Sequence, residues 1–306
     1  MAHVLLLFMD GVGLGPDDPS VNPLAAASMP RLSSLLEGRR LVRSAAPFHG
    51  GEATLLAVDA CLGVDGLPQS ASGQAAILTG RNVPKEIGEH YGPKPNPAVA
   101  AIVRQGSLFS EVARRGGTAG LLNAYPPRYF EGIESGRRLY SCIPLAATSA
   151  GLGLRSAEDL LRGEAFSADF TGEGWALQPG FPSAPVYTPA EAGARLAATA
   201  RSLDLAWFDY WPSDYAGHRG DADASRQLLE SFDAVLGGLA DAYRGSPDLV
   251  VVTSDHGNLE DLNRRGHTRN PVPALLIGPA DVRERFSQGL SDLTGFVPAI
   301  LREIFG

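Results

Sequence analysis

Leu249-Val250-Val251-Val252-Thr253 is an unbroken apolar run, bounded by Pro247-Asp248 before it and Ser254-Asp255 after it. A strand with one wet face alternates apolar and polar residues, so a run without alternation is buried on both faces. The same strand texture recurs at Val4–Met9, Ala53–Ala60, Asp204–Tyr210 and Ala274–Ile277. Helical spacing falls between these strands, at Met29–Leu36, Gly73–Thr79, Thr188–Arg201, Ala222–Tyr243 and Phe296–Ile304. Thr188, Pro189 and Glu191 stand in the arrangement of a capped helix start. Strands alternating with helices predict an α/β fold with a mostly parallel sheet covered on both faces.

The 306 residues suffice for a sizeable core and for more than one structural unit. At 44% hydrophobic and 20% charged, the composition is that of a soluble globular chain. A net charge of −8 argues against a nucleic-acid partner. It does not exclude an anionic substrate, because bound cations and local arginines override the total. Cys61 and Cys142 form no disulfide framework and no metal-ligand spacing, and read as buried thiols in a reducing compartment. The apolar start His3–Met9 is too short to span a membrane and lacks the flanks of a leader. A cytoplasmic protein with no membrane partner is expected, and nothing in the sequence fixes its oligomeric state.

From Lys85 to Pro97 the chain is rich in Gly, Pro and charge, and its pattern stays patchy as far as Pro189. Within that stretch Ser107–Arg115 and Ser156–Leu161 read as helices and Ala119–Ala124 as a strand. The expected division is a discontinuous core, 1–85 and 188–306, with an inserted cap or substrate domain at 86–187.

Four segments cluster residues able to bind metal. Asp10-Gly11 follows the first strand, where open α/β sheets place ligands. Ser70, in Gln69-Ser70-Ala71-Ser72-Gly73, opens a predicted helix whose free N–H groups and dipole favour an anion. Asp214 and His218 are one helical turn apart, and Asp209 is a nearby competitor. Asp255-His256 follows the strand described first, and His267 lies shortly beyond. Asp supplies hard oxygen and His neutral imidazole, a mixed donor set suited to divalent cations.

With Asp214-x-x-x-His218, Asp255-His256-Gly257-Asn258-x-Glu260 and His267-Thr268-x-Asn270-Pro271-Val272-Pro273 in this order, the chain resembles the alkaline phosphatase superfamily. It is most similar to the branch of cofactor-independent phosphoglycerate mutase and phosphopentomutase. The resemblance implies an alkaline-phosphatase-like three-layer core with a small inserted α+β cap. It also implies two divalent ions, Zn²⁺ or Mn²⁺ with Mg²⁺ as a third option. One would be held by Asp214, His218 and His267, and the other by Asp10, Asp255, His256 and the Ser70 oxygen. Ser70 would be the nucleophile. The mutase pattern has an acidic residue beside the serine and a histidine after the glycine, where this chain has Ala71 and Gln74.

The expected function is two-metal phosphoryl transfer of the phosphatase or phosphodiesterase kind on a small phosphorylated metabolite. The alternatives are a phosphomutase and a non-catalytic metal- or ligand-binding relative. Arg81, Lys85 and His90, with Lys94, follow the nucleophile helix and are candidates to meet an anionic group, as are Arg128, Arg137 and Arg138 in the middle region.

Overall fold

The computed structural model describes residues 2–178 and 180–306. Met1 and Pro179, which fall in the expected ranges 1–85 and 86–187, lie outside the described residues. The strands are β1 (Val4–Met9), β2 (Phe48–His49), β3 (Ala53–Val58), β4 (Ala119–Leu121), β5 (Leu205–Tyr210), β6 (Leu249–Thr253) and β7 (Val272–Ile277). They form one seven-stranded sheet in the order β2-β3-β7-β6-β1-β5-β4. β6, β1, β5 and β4 run parallel, while β7 is antiparallel to both β6 and β3.

The unbroken apolar strands are buried on both faces. In β1, Val4, Leu6 and Phe8 enter one core while Leu5, Leu7 and Met9 enter the other. β6 divides likewise, with Leu249 and Val251 on one side and Val250 and Val252 on the other. Each such side chain, once fully buried, contributes about 1.5–3 kcal/mol, so the sheet is held by two cores of comparable kind. The first core is closed by the helices Ser70–Thr79, Pro97–Gln105, Cys142–Ser149 and Phe296–Phe305. The second is closed by Pro189–Ala200 and Ala222–Tyr243. Thr188 caps the former of these through a capping box with Glu191. Among the described residues no helix is long and apolar enough to cross a membrane.

Residues 86–187 do not stand apart as the sequence pattern predicts. β4 is the edge strand of the main sheet, with Ala119 opposite Leu205 and Leu121 opposite Trp207. The helices Pro97–Gln105, Leu108–Arg114 and Cys142–Ser149 pack in the same core as Ser70–Thr79. The pattern misleads because Cys142–Ser149 buries Cys142 through Ala147 without interruption, so it carries no amphipathic stripe. Only the later part has a small core of its own, made by Ala157, Leu160, Ala165, Trp175 and Ala184 with Ala124. Even this part is tied to the sheet, because Phe170 stacks on Phe208 at 4.6 Å between ring centroids.

Candidate metal centre

Strand direction brings the ligand-type residues together. β1, β5 and β6 are parallel, so Asp10, the helix Pro212–Arg219 and Ser254–His256 leave the sheet at one edge. β7 runs the opposite way, so the residues before it, including His267, start from that same edge. β3 runs with β1, and the chain beyond it reaches the helix Ser70–Thr79.

Two groups of donors result. Asp10, Asp255 and His256 offer atoms within 4.8 Å of one another, and so do Asp214, His256 and His267. His256 Nε2 lies 3.3 Å from Asp10 Oδ1 and 3.7 Å from Asp255 Oδ2. Its ring stacks on that of His267 with centroids 3.7 Å apart. Ser70 Oγ is 3.0 Å from His256 Nε2. His256 therefore belongs to both groups, where the resemblance implies only one. His218 is exposed and lies outside the compact set, yet its Nε2 is 3.3 Å from Asp214 Oδ2 and its ring is 5.3 Å from that of His267.

The donor set fits divalent cations. Asp10 Oδ1 and Asp255 Oδ2 are buried with no hydrogen-bond partner among the described residues. Burial, with the Asp10 charge added, holds the carboxyls of Asp255 and Asp214 above their ordinary range. Burial alone would lower His256, but the carboxylates of Asp255, Asp10 and Asp214 outweigh it and push the ring up to about 10. The site thus collects positive charge among three carboxylates, as an ion would supply it. Burial and the His256 charge lower His267 to about 4, which leaves it a neutral imidazole. Its Nδ1 lies 2.7 Å from the Pro68 carbonyl, an N–H donor contact that leaves Nε2 free to ligate.

The scaffold beneath these candidate donors depends on residues the sequence did not reveal as such. Glu260 is fully buried and accepts from Gly13 N at 2.9 Å, Asn258 N at 2.8 Å and Asn270 Nδ2 at 3.0 Å, and from the Thr268 hydroxyl. It clamps the loops after β1, after β6 and before β7. Asn258 Nδ2 donates to Asp214 Oδ1 at 2.7 Å, and Gln74 Nε2 donates to Asp10 Oδ2 at 3.2 Å. Gly73 lets the helix approach β6, since a Cβ there would sit 2.9 Å from the Asp255 carbonyl oxygen and 3.0 Å from Asp255 Cβ. The motif spacing Asp-His-Gly-Asn-x-Glu was the only sequence signal for Glu260.

Ser70 and Ser72 are told apart by their partners. Ser72 Oγ accepts from Tyr91 N at 3.0 Å and lies 3.3 Å from the Gln69 carbonyl it donates to, so it fastens the following loop. Ser70, in the first turn of its helix, faces His256.

The candidate anion contacts separate in a similar way. Arg81 is committed to Glu86 and Gln105. Lys85 and Arg128 are exposed, and Arg137 donates to Ser135 Oγ at 2.9 Å. His90 is half-buried, and burial lowers its pKa. Arg138 lies over the Tyr129 ring, 5.1 Å from its centroid. Asp209 joins neither donor group. It is buried with Oδ1 unpartnered, and burial together with the Asp10 charge holds its carboxyl well above the usual range.

Comparison with known proteins agrees with this architecture. Residues 189–302 match the family model described as the metalloenzyme superfamily. The 2,3-bisphosphoglycerate-independent phosphoglycerate mutase of Cereibacter sphaeroides is 36% identical over 104 residues, 31% of this chain and 20% of that protein. The enzyme of the same name from Acetivibrio thermocellus is 35% identical over 100 residues, 30% of this chain and 19% of its own. The chain thus spans about a fifth of the length of these relatives. Among solved structures, a Pyrococcus horikoshii protein superposes with a TM-score of 0.59 at 15% identity, over 99% of this chain and 96% of its own. The alkaline phosphatase of the Antarctic bacterium TAB5 superposes at 0.53 with 17% identity, over 99% and 97%. The metalloenzyme superfamily pattern thus covers residues 189–302, and the chain as a whole has a fold similar to that of alkaline phosphatases.

Proposed function

We propose that the protein is a metal-dependent phosphoryl-transfer enzyme that uses Ser70 as nucleophile on a small phosphorylated metabolite, with hydrolysis as the net reaction. The observation that carries this reading is Ser70 Oγ, 3.0 Å from His256 Nε2 at the start of a helix and beside two groups of carboxylate and imidazole donors. In this reading Asp214, His218 and His267 hold one divalent ion, and Asp10, Asp255, His256 and Ser70 hold the other. His256 also reaches the first group. Zn²⁺ or Mn²⁺ suits the mixed donors. Bound there, the ions would neutralise the carboxylates, hold phosphoryl oxygens and ease deprotonation of the serine.

The chain's own groups do the rest. The Ser70 oxygen loses its proton and attacks phosphorus as the ester oxygen leaves and takes up a proton, giving a phosphoserine and the free alcohol; water then attacks the same phosphorus, its proton passing to the departing Ser70 oxygen as phosphate is released. At the start of this helix the dipole would favour the negative charge of the transferring group, while Ser72 N is already taken by the Tyr91 carbonyl. Pro68 fixes the tautomer of His267, Gln74 steadies Asp10, and Asn258 steadies Asp214. The partner in this reading is a small phosphate ester, not nucleic acid or a membrane. A cytoplasmic setting accords with Cys61 and Cys142 being unpaired.

A phosphomutase is the second reading, favoured by relatives that bear the phosphoglycerate mutase name and match 31% of this chain. The deciding experiment incubates protein loaded with Zn²⁺ or Mn²⁺ with aryl phosphate and a panel of phosphorylated metabolites, following both free phosphate and isomerised ester. Phosphate release that needs metal and Ser70 supports hydrolysis, and isomer without phosphate supports the mutase. Metal binding with neither product points to the non-catalytic alternative.

A further inference from the structure

Asp209 is a buried acid whose carboxyl group has no hydrogen-bond partner among the described residues. Its backbone is fully satisfied, since Asn123 accepts from Asp209 N at 2.8 Å and donates to Asp209 O at 2.8 Å. The Asn123 amide thereby stands in for a strand partner beyond the end of β4. The side chain, 6% exposed, has no such arrangement, and Oδ1 is sealed from solvent without a hydrogen bond.

Other buried acids of this chain are treated differently. Asp233 accepts from Arg31 N and Leu32 N at 3.0 and 2.7 Å. Asp248 accepts from His3 N at 3.1 Å and from the Ser246 hydroxyl at 2.5 Å. A carboxyl group kept for packing acquires donors, so one left without them at the edge of a reaction site is placed for a donor that arrives.

The surroundings say where that donor comes from. Asp209 pairs in register with Phe8, and it follows Trp207 by two residues. Its side chain therefore points to the face shared by Phe8, Trp207 and the Ser70 helix. Tyr125 and Tyr129, their rings tilted with centroids 4.4 Å apart, lie in the same core, and the buried Tyr129 hydroxyl is also unpartnered among the described residues. The loop after the nucleophile helix returns to it, with Ser72 N donating to Tyr91 O at 2.9 Å and Gly92 packed against Ser70 N. Lys94, two residues on, is thereby carried to the rim of this space, and the charges of Arg138, Asp209 and Asp10 all act on it.

We propose that Asp209 determines specificity by accepting a hydrogen bond from a hydroxyl on the part of the substrate that is not transferred. The enzyme then favours phosphate esters of polyols over esters of simple alcohols. This rests on the phosphoryl-transfer reading above, with Lys94 and the Tyr129 hydroxyl as the neighbouring polar contacts.

The test compares glycerol 1-phosphate with propyl phosphate, which share a carbon chain and differ in hydroxyls. With the Mn²⁺-loaded protein, kcat/KM should favour the glycerol ester by about ten-fold or more. Asp209→Leu, similar in size but without an acceptor, should bring the ratio to about one. Asp209→Asn, which keeps a carbonyl acceptor, should retain part of it. A wild-type ratio near one overturns the proposal without any variant having to fold. A ratio unchanged in Asp209→Leu, with both esters slowed alike, assigns the residue to structure instead. Calorimetry on Mn²⁺-loaded Ser70→Ala protein measures the same preference as affinity without turnover. A preference there with no turnover of any ester by the Ser70 protein would sink the phosphoryl-transfer reading and keep the subsite. Equal affinities would sink the subsite alone.

Discussion

Glu260 should matter more to the stability of this protein than any single candidate donor it supports. Replacing it with alanine strands Gly13 N and Asn258 N, two backbone donors fixed by their loops in a fully buried place. The Thr268 hydroxyl and the Asn270 amide can turn to other partners. Each stranded donor costs about 1–3 kcal/mol, so Glu260→Ala should lose about 2–6 kcal/mol, toward the low end if water enters the vacated space. Glutamine behaves differently. Its carbonyl can take the place of Oε2 and keep both backbone bonds, while its NH₂ donates to a rotated Thr268 hydroxyl and a flipped Asn270 carbonyl. Only the charge assistance of those bonds is lost, about 1–2 kcal/mol in all. At roughly 2.1 cal/mol/K per residue, 306 residues have a melting entropy of about 0.64 kcal/mol/K, or about 1.6 °C for each kcal/mol. Thermal unfolding in EDTA should therefore show Tm lowered by about 3–10 °C in Glu260→Ala and by about 2–3 °C in Glu260→Gln. Equal shifts in the two variants, or an alanine variant as stable as the parent, would refute the clamp.

Four further outcomes follow from the same geometry. Ser70→Ala should reduce turnover by about 10³-fold or more while calorimetric metal binding changes little; a retained rate would remove Ser70 as nucleophile. Gly73→Ala forces the helix away from Asp255 and should cost about 1–3 kcal/mol with weaker metal binding; unchanged melting and unchanged affinity would contradict the close approach. His218→Ala should weaken one of two metal-binding events by about ten-fold or more and leave the other; two unaltered events would place His218 outside the centre. Saturating the protein with Mn²⁺ at about 100 times its Kd should add about 2.7 kcal/mol, or about 4 °C, over the EDTA-treated form; coincident melting curves would argue against a metal site that belongs to the folded state.

The sequence is most legible where an element has two unlike faces. The spacing predicts Ala222–Tyr243 with its observed ends because its buried positions make one stripe beside an exposed face. The helix Ser70–Thr79 was read from Gly73 onward, three residues late, because Ser70 through Leu78 are all buried and show no stripe. The same cause hid Cys142–Ser149 and, with it, the membership of the middle region in the main core. Residue types at the site were visible as motifs, whereas the work of Glu260 was not, because its partners include backbone amides that only folding brings near.

Strand direction was the other thing hidden, and the site turns on it. His267 precedes β7, while Asp10, Asp214 and Asp255 follow β1, β5 and β6. Six strand residues cover about 20 Å. Had β7 run parallel to β6, as a mostly parallel reading allows, the loop before it would have to end at the far edge of the sheet. His267 could then reach Asp214 only if residues 268–271 spanned the length of the strands. With β7 reversed, Gly257 and Thr268 meet as an isolated antiparallel bridge directly above the strand ends. His267 Nε2 comes to 4.0 Å from Asp214 Oδ1, and its ring settles on that of His256. One antiparallel strand in a parallel neighbourhood is thus what turns an ordinary carboxyl-edge cluster into a site with donors arriving from both chain directions.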